Sequence, residues 1–244
     1  MSVLWWIILA AAWLGWAVLS RRLEDNPRGD VVTGFFYFAN RLYARLVHRV
    51  RVRGEIPGGR HTGPLIVVCN HTAGVDPLLV QGVTPFEVRW MMGSDMMTPR
   101  LGFFWQWARI IAVNRRGRDL GGTREALRHL ADGGVLGVFP EGGLERPPGR
   151  LRAFQPGIGF LVARTRAPVL PIWISGTPQA DKAWESLWRT SRSTLTVGPV
   201  MDFAGATPGE IVAALEGWFR ETSGWARESE PQADGPAGAG AVAC

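Results

Sequence analysis

The sequence predicts an α/β domain: a mixed, largely parallel sheet covered by helices and preceded by an apolar and amphipathic helix pair. Three observations point there. Short apolar runs of strand character alternate with helix-forming segments between residues 65 and 197, the order expected of a mostly parallel sheet with helical crossovers. A long uncharged run, Val3 to Leu19, opens the chain and is followed by a segment with helical apolar spacing. Finally, 244 residues with 46% hydrophobic content suffice for the core of one ordinary domain with a small appendage.

In chain order, VLWWIILAAAWLGWAVL (3–19) is bounded by Ser20, Arg21 and Arg22. As a helix it spans about 25 Å, the short limit for a bilayer core, so it either crosses a membrane or lies embedded in it. No basic residue precedes the run, which disfavours a cleaved signal peptide. If it spans, Arg21 and Arg22 leave the remainder on the cytoplasmic side. The alternative is a buried helix of a soluble core; Trp5, Trp6, Trp13 and Trp16 suit a lipid interface better. Residues 31–50 form a second expected helix. Phe35, Phe38, Leu42 and Leu46 fall near one stripe, and Arg41, Arg45 and Arg49 recur every four residues on another, a pattern suited to anionic headgroups. An ordinary solvated basic face is the other reading.

The expected core elements then follow: strand 65–69, helix 76–81, strand 87–92, helix 123–131, strand 135–139, helix 157–165, and strands 169–174 and 193–197. Thr207-Pro208-Gly209-Glu210 reads as a capping box with proline at the first helical position, opening a last helix to about Trp225. The Gly-, Ala- and Pro-rich end is expected to be disordered. The organisation is therefore membrane-attachment helices in 1–50, a catalytic domain in 51–226 and a tail in 227–244.

The formal charge of +6 and the pI near 10.5 favour an anionic partner. Six arginines against one acid, Glu55, fall within residues 41–60. That cluster adjoins an apolar helix and no nucleic-acid-binding module is visible, so a membrane surface is expected and nucleic acid is not. The two cysteines, Cys69 and Cys244, make a poor disulfide framework; Cys69, inside a strand, is read as a small buried hydrophobe. No metal site or bound cofactor is expected.

Chemistry is expected beyond strand carboxyl ends, and three features lie there. His71 follows the strand 65–69, and Asp76-Pro77 looks like a helix N-cap followed by proline. Gly74 lets the intervening loop turn back, so the carboxylate can hold one ring nitrogen of His71 and leave the other free to take a proton from a hydroxyl. A simple turn hydrogen bond is the alternative. Phe139-Pro140-Glu141-Gly142-Gly143 follows the strand at 135; its glycines allow backbone N–H groups close to an anion, and Glu141 can bind a hydroxyl or orient an arginine. A glycine-rich turn fits equally. The third is Ile110 to Arg115, an apolar run closed by Asn114 and a cation, read either as a ligand or as a solvated strand end.

Together, and in this order, these features resemble the glycerolipid acyltransferases of the 1-acylglycerol-3-phosphate O-acyltransferase family. The NHxxxxD motif is Asn70 to Asp76, the strand ending in arginine is Ile111 to Arg115, FPEG is Phe139 to Gly142, and V-x-P-I-x-I is Val169 to Ile174. The similarity covers roughly residues 50–202. It implies His71 and Asp76 as the catalytic pair and Asn70, Arg115, Glu141, Gly142, Gly143 and Arg146 as substrate-binding residues. It further implies acyl-CoA or acyl-carrier protein as donor, a lysophospholipid as acceptor, and attachment to the cytoplasmic face of a membrane through the N-terminal helices. Departures are Arg109 where the second motif has glycine, Gly143 and Leu144 where Thr or Ser and then Arg follow FPEG, and Gln155 in place of a lysine. Arg146 is the expected replacement for the arginine missing at Leu144, with Arg150 and Arg152 as fallbacks; otherwise the acceptor differs from lysophosphatidic acid. A noncatalytic lipid-binding protein on the same fold is the rival. A serine hydrolase is disfavoured, because no G-x-S-x-G elbow is present.

Overall fold

The computed structural model describes residues 3–58, 63–114, 120–145, 149–180 and 182–225. Seven strands form one sheet: β1 (Arg51–Arg53), β2 (Leu65–Cys69), β3 (Val88–Gly93), β4 (Ile111–Val113), β5 (Val135–Val138), β6 (Val169–Ser175) and β7 (Thr194–Val197). Their order is β1-β7-β6-β2-β5-β3-β4. The block from β6 to β4 is parallel. β7 runs antiparallel to β6, and β1 pairs in parallel with β7, which makes the sheet mixed and largely parallel as expected.

Helices cover both faces: α1 (Val3–Glu24), α2 (Val31–Leu46), α3 (Asp76–Val83), α4 (Gly102–Trp107), α5 (Leu120–Ala131), α6 (Pro156–Thr165) and α7 (Pro208–Ser223). All five residues of β2 are fully buried, the signature of a strand covered on both sides. Ile66 and Val68 join Leu136, Val169, Ile158, Ile211 and Phe219 under α5, α6 and α7. Leu65, Val67 and Cys69 join Leu79, Val80, Leu170, Ile172 and Leu195 under α2 and α3. The capping box at Thr207 and Glu210 forms as expected.

The N-terminal pair is held to this body by polar ties. The Asn26 amide donates to Leu23 O at 2.6 Å and Asp30 O at 2.8 Å, closing α1, while Asp30 caps α2 by accepting from Thr33 N–H at 2.8 Å. Arg28 pairs with Glu87, donates to Trp107 O at 2.7 Å and lies over the Trp107 ring. The apolar side chains of α1 face outward; Trp13, for example, is 71% exposed. So do Phe35, Phe38, Leu42 and Leu46 of α2, opposite the buried Thr33 and Ala44 that face the domain.

Three expectations are corrected. α2 stops at Leu46 rather than continuing to 50, because His48 turns inward, with Nδ1 2.8 Å from Ser191 Oγ and Nε2 2.9 Å from Tyr43 Oη. Arg49 sits beyond the helix at φ +44°, so only Arg41 and Arg45 belong to its basic stripe. β1 and α4 were not foreseen. The expected tail, 227–244, lies outside the described residues.

Candidate active site

The site is assembled where β2, β5 and β6 end side by side. Directly after β2, the Asn70 amide donates to Ile174 O at 2.9 Å and its oxygen accepts Ile174 N–H at 2.6 Å. This side chain thus extends the pairing of β2 with β6 by one rung. It is 1% exposed, and both its nitrogen and its oxygen are engaged with Ile174.

His71 leaves the strand end with Nδ1 3.0 Å from Asp76 Oδ2. The expectation of Asp76 as N-cap is corrected: Val75 is the cap and Asp76 opens α3. Its carboxylate turns back into the loop, where Oδ2 also accepts Thr72 N–H at 2.7 Å and Ala73 N–H at 2.8 Å. Three N–H donors thus converge on one fully buried oxygen, and the contact with the ring places the proton of His71 on Nδ1. Gly74 makes the turn possible, because a Cβ there would lie 2.2 Å from Ala183 O. Thr72 Oγ1 and Thr177 Oγ1, 2.6 Å apart, tie the loop to the segment after β6.

The other face of the imidazole is set by packing. The ring stacks on Phe139 with centroids 4.0 Å apart, and Phe139 stacks on Trp90 at 4.7 Å. Register explains the row: Trp90 pairs with Gly137, whose missing side chain leaves room for the indole. Among the described residues Nε2 of His71 has no hydrogen-bond partner, and the side chain is 15% exposed. The geometry therefore presents Nε2 at an opening to solvent.

Glu141 does not face the imidazole as an acid or base. Its Oε1 accepts the backbone N–H of His71 at 3.0 Å, and Oε2 accepts that of Arg152 at 3.4 Å. Burial pushes its carboxyl up to about 7, against the opposing pull of these two donors. Glu145 N–H donates to His71 O at 2.7 Å, so the loop after β5 clasps the histidine backbone from both sides. Gly142, at φ +71°, turns that loop and gives its N–H to Phe139 O at 3.1 Å, which occupies it within the turn. Gly143 N–H has no partner among the described residues. Arg115 and Arg146 lie outside the described residues. Arg152 directs its guanidinium to Leu144 O at 3.5 Å, on the loop beside His71.

Sequence reasoning missed Trp90, Thr177 and Ser186, which meet the site only through strand order; Ser186 Oγ accepts Val75 N–H at 3.1 Å. Among the described residues no group of three or more His, Cys, Asp or Glu side chains is arranged to hold a metal ion. A separate cleft of about 330 Å³, lined by Arg89, Arg124, Glu125, Arg128, His129 and Asp132, contains none of the site residues.

Comparison with known proteins gives the family. The chain is 28% identical over 173 residues to an N-acylphosphatidylethanolamine synthase of Arabidopsis thaliana, covering 64% of this chain and 60% of that protein. It is 26% identical over 204 residues to a 1-acyl-sn-glycerol-3-phosphate acyltransferase of Limnanthes alba, covering 82% and 65%. The chain thus spans less than two thirds of the length of these relatives. The crystal structure of the 1-acyl-sn-glycerophosphate (LPA) acyltransferase PlsC from Thermotoga maritima shares the fold, with a TM-score of 0.63 at 22% identity, over 78% of this chain and 79% of that one. The Acyltransferase family model matches residues 49–175, from just before β1 to the end of β6. With that match spanning more than half of the sequence and containing His71, Asp76 and Glu141, the chain belongs to the acyltransferase family.

Proposed function

We propose that this protein is a membrane-associated O-acyltransferase that moves a fatty acyl group from an acyl thioester to the hydroxyl of a lysophospholipid such as 1-acylglycerol-3-phosphate. The observation that carries the reading is His71, held through Nδ1 by Asp76 with Nε2 left open. Nε2 removes the acceptor hydroxyl proton as the oxygen attacks the thioester carbonyl, a contribution worth about 10²–10⁴-fold. The resulting imidazolium is stabilised by the Asp76 carboxylate, and its proton passes to the departing thiolate when the tetrahedral intermediate collapses. Gly143 N–H is the backbone donor assigned to the oxyanion, in place of Gly142.

Acyl-CoA or acyl-carrier protein serves as donor and is consumed. The outward apolar faces of α1 and α2 support attachment through residues 1–50, on the cytoplasmic face, with catalysis by 51–226. Arg115, expected at the end of β4, is assigned to the acceptor phosphate, with Arg146 or Arg152 supplying the second cation. The relatives named above differ in acceptor, so the test is an acyl-transfer assay with both donor types over lysophosphatidic acid, other lysophospholipids and phosphatidylethanolamine. Transfer to a lysophospholipid that disappears in His71→Ala supports the proposal. Lipid binding without transfer to any acceptor overturns it in favour of a noncatalytic lipid-binding protein.

A further inference from the structure

The connection from β6 to β7 carries an exposed aromatic turn. Ala183–Trp188 form a short 3-10 turn in which Trp184 is 59% and Trp188 79% exposed, while Ser186 between them is fully buried. Two indoles four residues apart are thus held in water by a backbone that is itself anchored. Ser186 Oγ accepts Val75 N–H at 3.1 Å and donates to Ala183 O at 2.6 Å. Leu187 O accepts Tyr43 Oη at 2.6 Å, and Ser191 and Ser193 N–H donate to Val47 O and His48 O at 3.2 and 3.0 Å. The turn is therefore fixed on one side to the end of α2 and on the other to the His71–Asp76 loop, where Gly74 abuts Ala183.

Charge accompanies the aromatics. Lys182, Arg189 and Arg192 are exposed, whereas Glu185, the one acid among the described residues of 182–192, lies 3.7 Å from Arg189. Indoles with cations beside them match the interface of an anionic bilayer, where the ring sits at headgroup level and the cations meet phosphates. A protein partner would bury the same rings without needing the cations.

We propose that Trp184 and Trp188 form a second membrane anchor, beside the end of α2, that seats an anionic lipid surface beside the catalytic loop. This rests on the reading of the protein as one that works at a membrane. In consequence the acceptor reaches His71 from the lipid surface and not through bulk water.

The test uses the full chain bound to phosphatidylcholine–phosphatidylglycerol vesicles whose acyl chains carry bromine, which quenches nearby indoles. Of the 12 tryptophans, the two removed in Trp184→Phe/Trp188→Phe should be missing from the quenched part of the emission. If the lost emission belongs to the unquenched part, the anchor is refuted. In a second arm, Trp184→Ser/Trp188→Ser should lower the ratio of transfer to a vesicle-embedded lysophospholipid over transfer to a short-chain monomeric one by about tenfold. An unchanged ratio also overturns the proposal. Should the wild type transfer no acyl group, the enzymatic reading fails while the quenching result still decides the anchor. Unquenched indoles together with a dimer that dissociates in the Ser variant would assign the surface to a second copy of the chain, against the lipid.

Discussion

Replacing Asp76 by asparagine isolates the charge of the carboxylate from its geometry. Oδ2 accepts N–H groups from Thr72 and Ala73 as well as Nδ1–H of His71. In Asp76→Asn the amide oxygen must take that place. The flipped amide would set its NH₂ against two buried N–H donors, each unmet pair costing about 1–3 kcal/mol, so it is populated in roughly one molecule in thirty or fewer. The NH₂ then occupies the Oδ1 position, near Thr72 Oγ1 at 3.3 Å, which can accept. The imidazole keeps its orientation and tautomer, and what is lost is the charge opposite the imidazolium formed during transfer. Exchanging a charged for a neutral acceptor weakens such a bond by about 1.5–2 kcal/mol, so kcat should fall about 10- to 30-fold. His71→Ala should lose about 10²–10⁴-fold. The assay is thiol release from acyl-CoA at saturating acceptor, beside circular dichroism to confirm folding. If Asp76→Asn falls as far as His71→Ala while folded, the two backbone donors do not set the amide and the reasoning is refuted.

Glu141→Gln tests the buried acid. With its folded value at about 7 against 4.5 for the free side chain, the group favours folding below pH 4.5 and loses that contribution as pH rises through 7. Removing the charge should thus stabilise the protein by up to about 3 kcal/mol at pH 8, reduced by about 1 kcal/mol where the new NH₂ meets Arg152 N–H. Urea denaturation should show the gain vanishing by pH 5, and a gain independent of pH contradicts the role given to burial. Gly74→Ala should cost about 1–3 kcal/mol in thermal unfolding, because the new methyl meets Ala183 O at 2.2 Å; unchanged stability means the turn and loop are not packed as described. Deleting residues 1–24 keeps the Asn26–Asp30 caps and should weaken vesicle binding most at high salt, leaving stronger binding at low salt through α2 and the Trp184–Trp188 turn. Binding that ignores salt argues against a role for Arg41 and Arg45.

The pair His71 and Asp76 was legible because it is local: a strand end, a glycine-bearing loop and a helix start lie within seven residues. What the spacing misjudged was the direction of the carboxylate, which satisfies the loop behind it instead of the helix ahead. Asn70 entered through the resemblance alone; its partner, Ile174, is 104 residues away and known only once β6 lies beside β2. The stack of Trp90, Phe139 and His71 depends on the parallel register of β3 with β5, which periodicity does not encode. β1 escaped notice because its three residues are exposed and two of them are arginines; edge pairing with β7 is all that makes it a strand. α4 reads as six mostly aromatic residues without a capping side chain. Continuous apolar runs, by contrast, announced every buried strand.

The pairing of β1 with β7 also bears on how the molecule is made. α2 rests partly on residues that follow it at great distance: Tyr43 and Leu187 are 144 positions apart, and His48 and Ser191 are 143. A ribosome therefore delivers α1 and α2 long before the chain that fastens the end of α2 exists. Closing so large a loop is slow, and the apolar stripe of α2, which stays outward even in the folded chain, is open to a bilayer from the start. Nascent chains would then reach a bilayer first and complete the sheet edge afterwards, with the last strands folding back onto a helix already at its destination. A pulse of synthesis stopped before residue 187 should leave membrane-bound chains whose α2 is still open to proteases, and release of the stall should protect it.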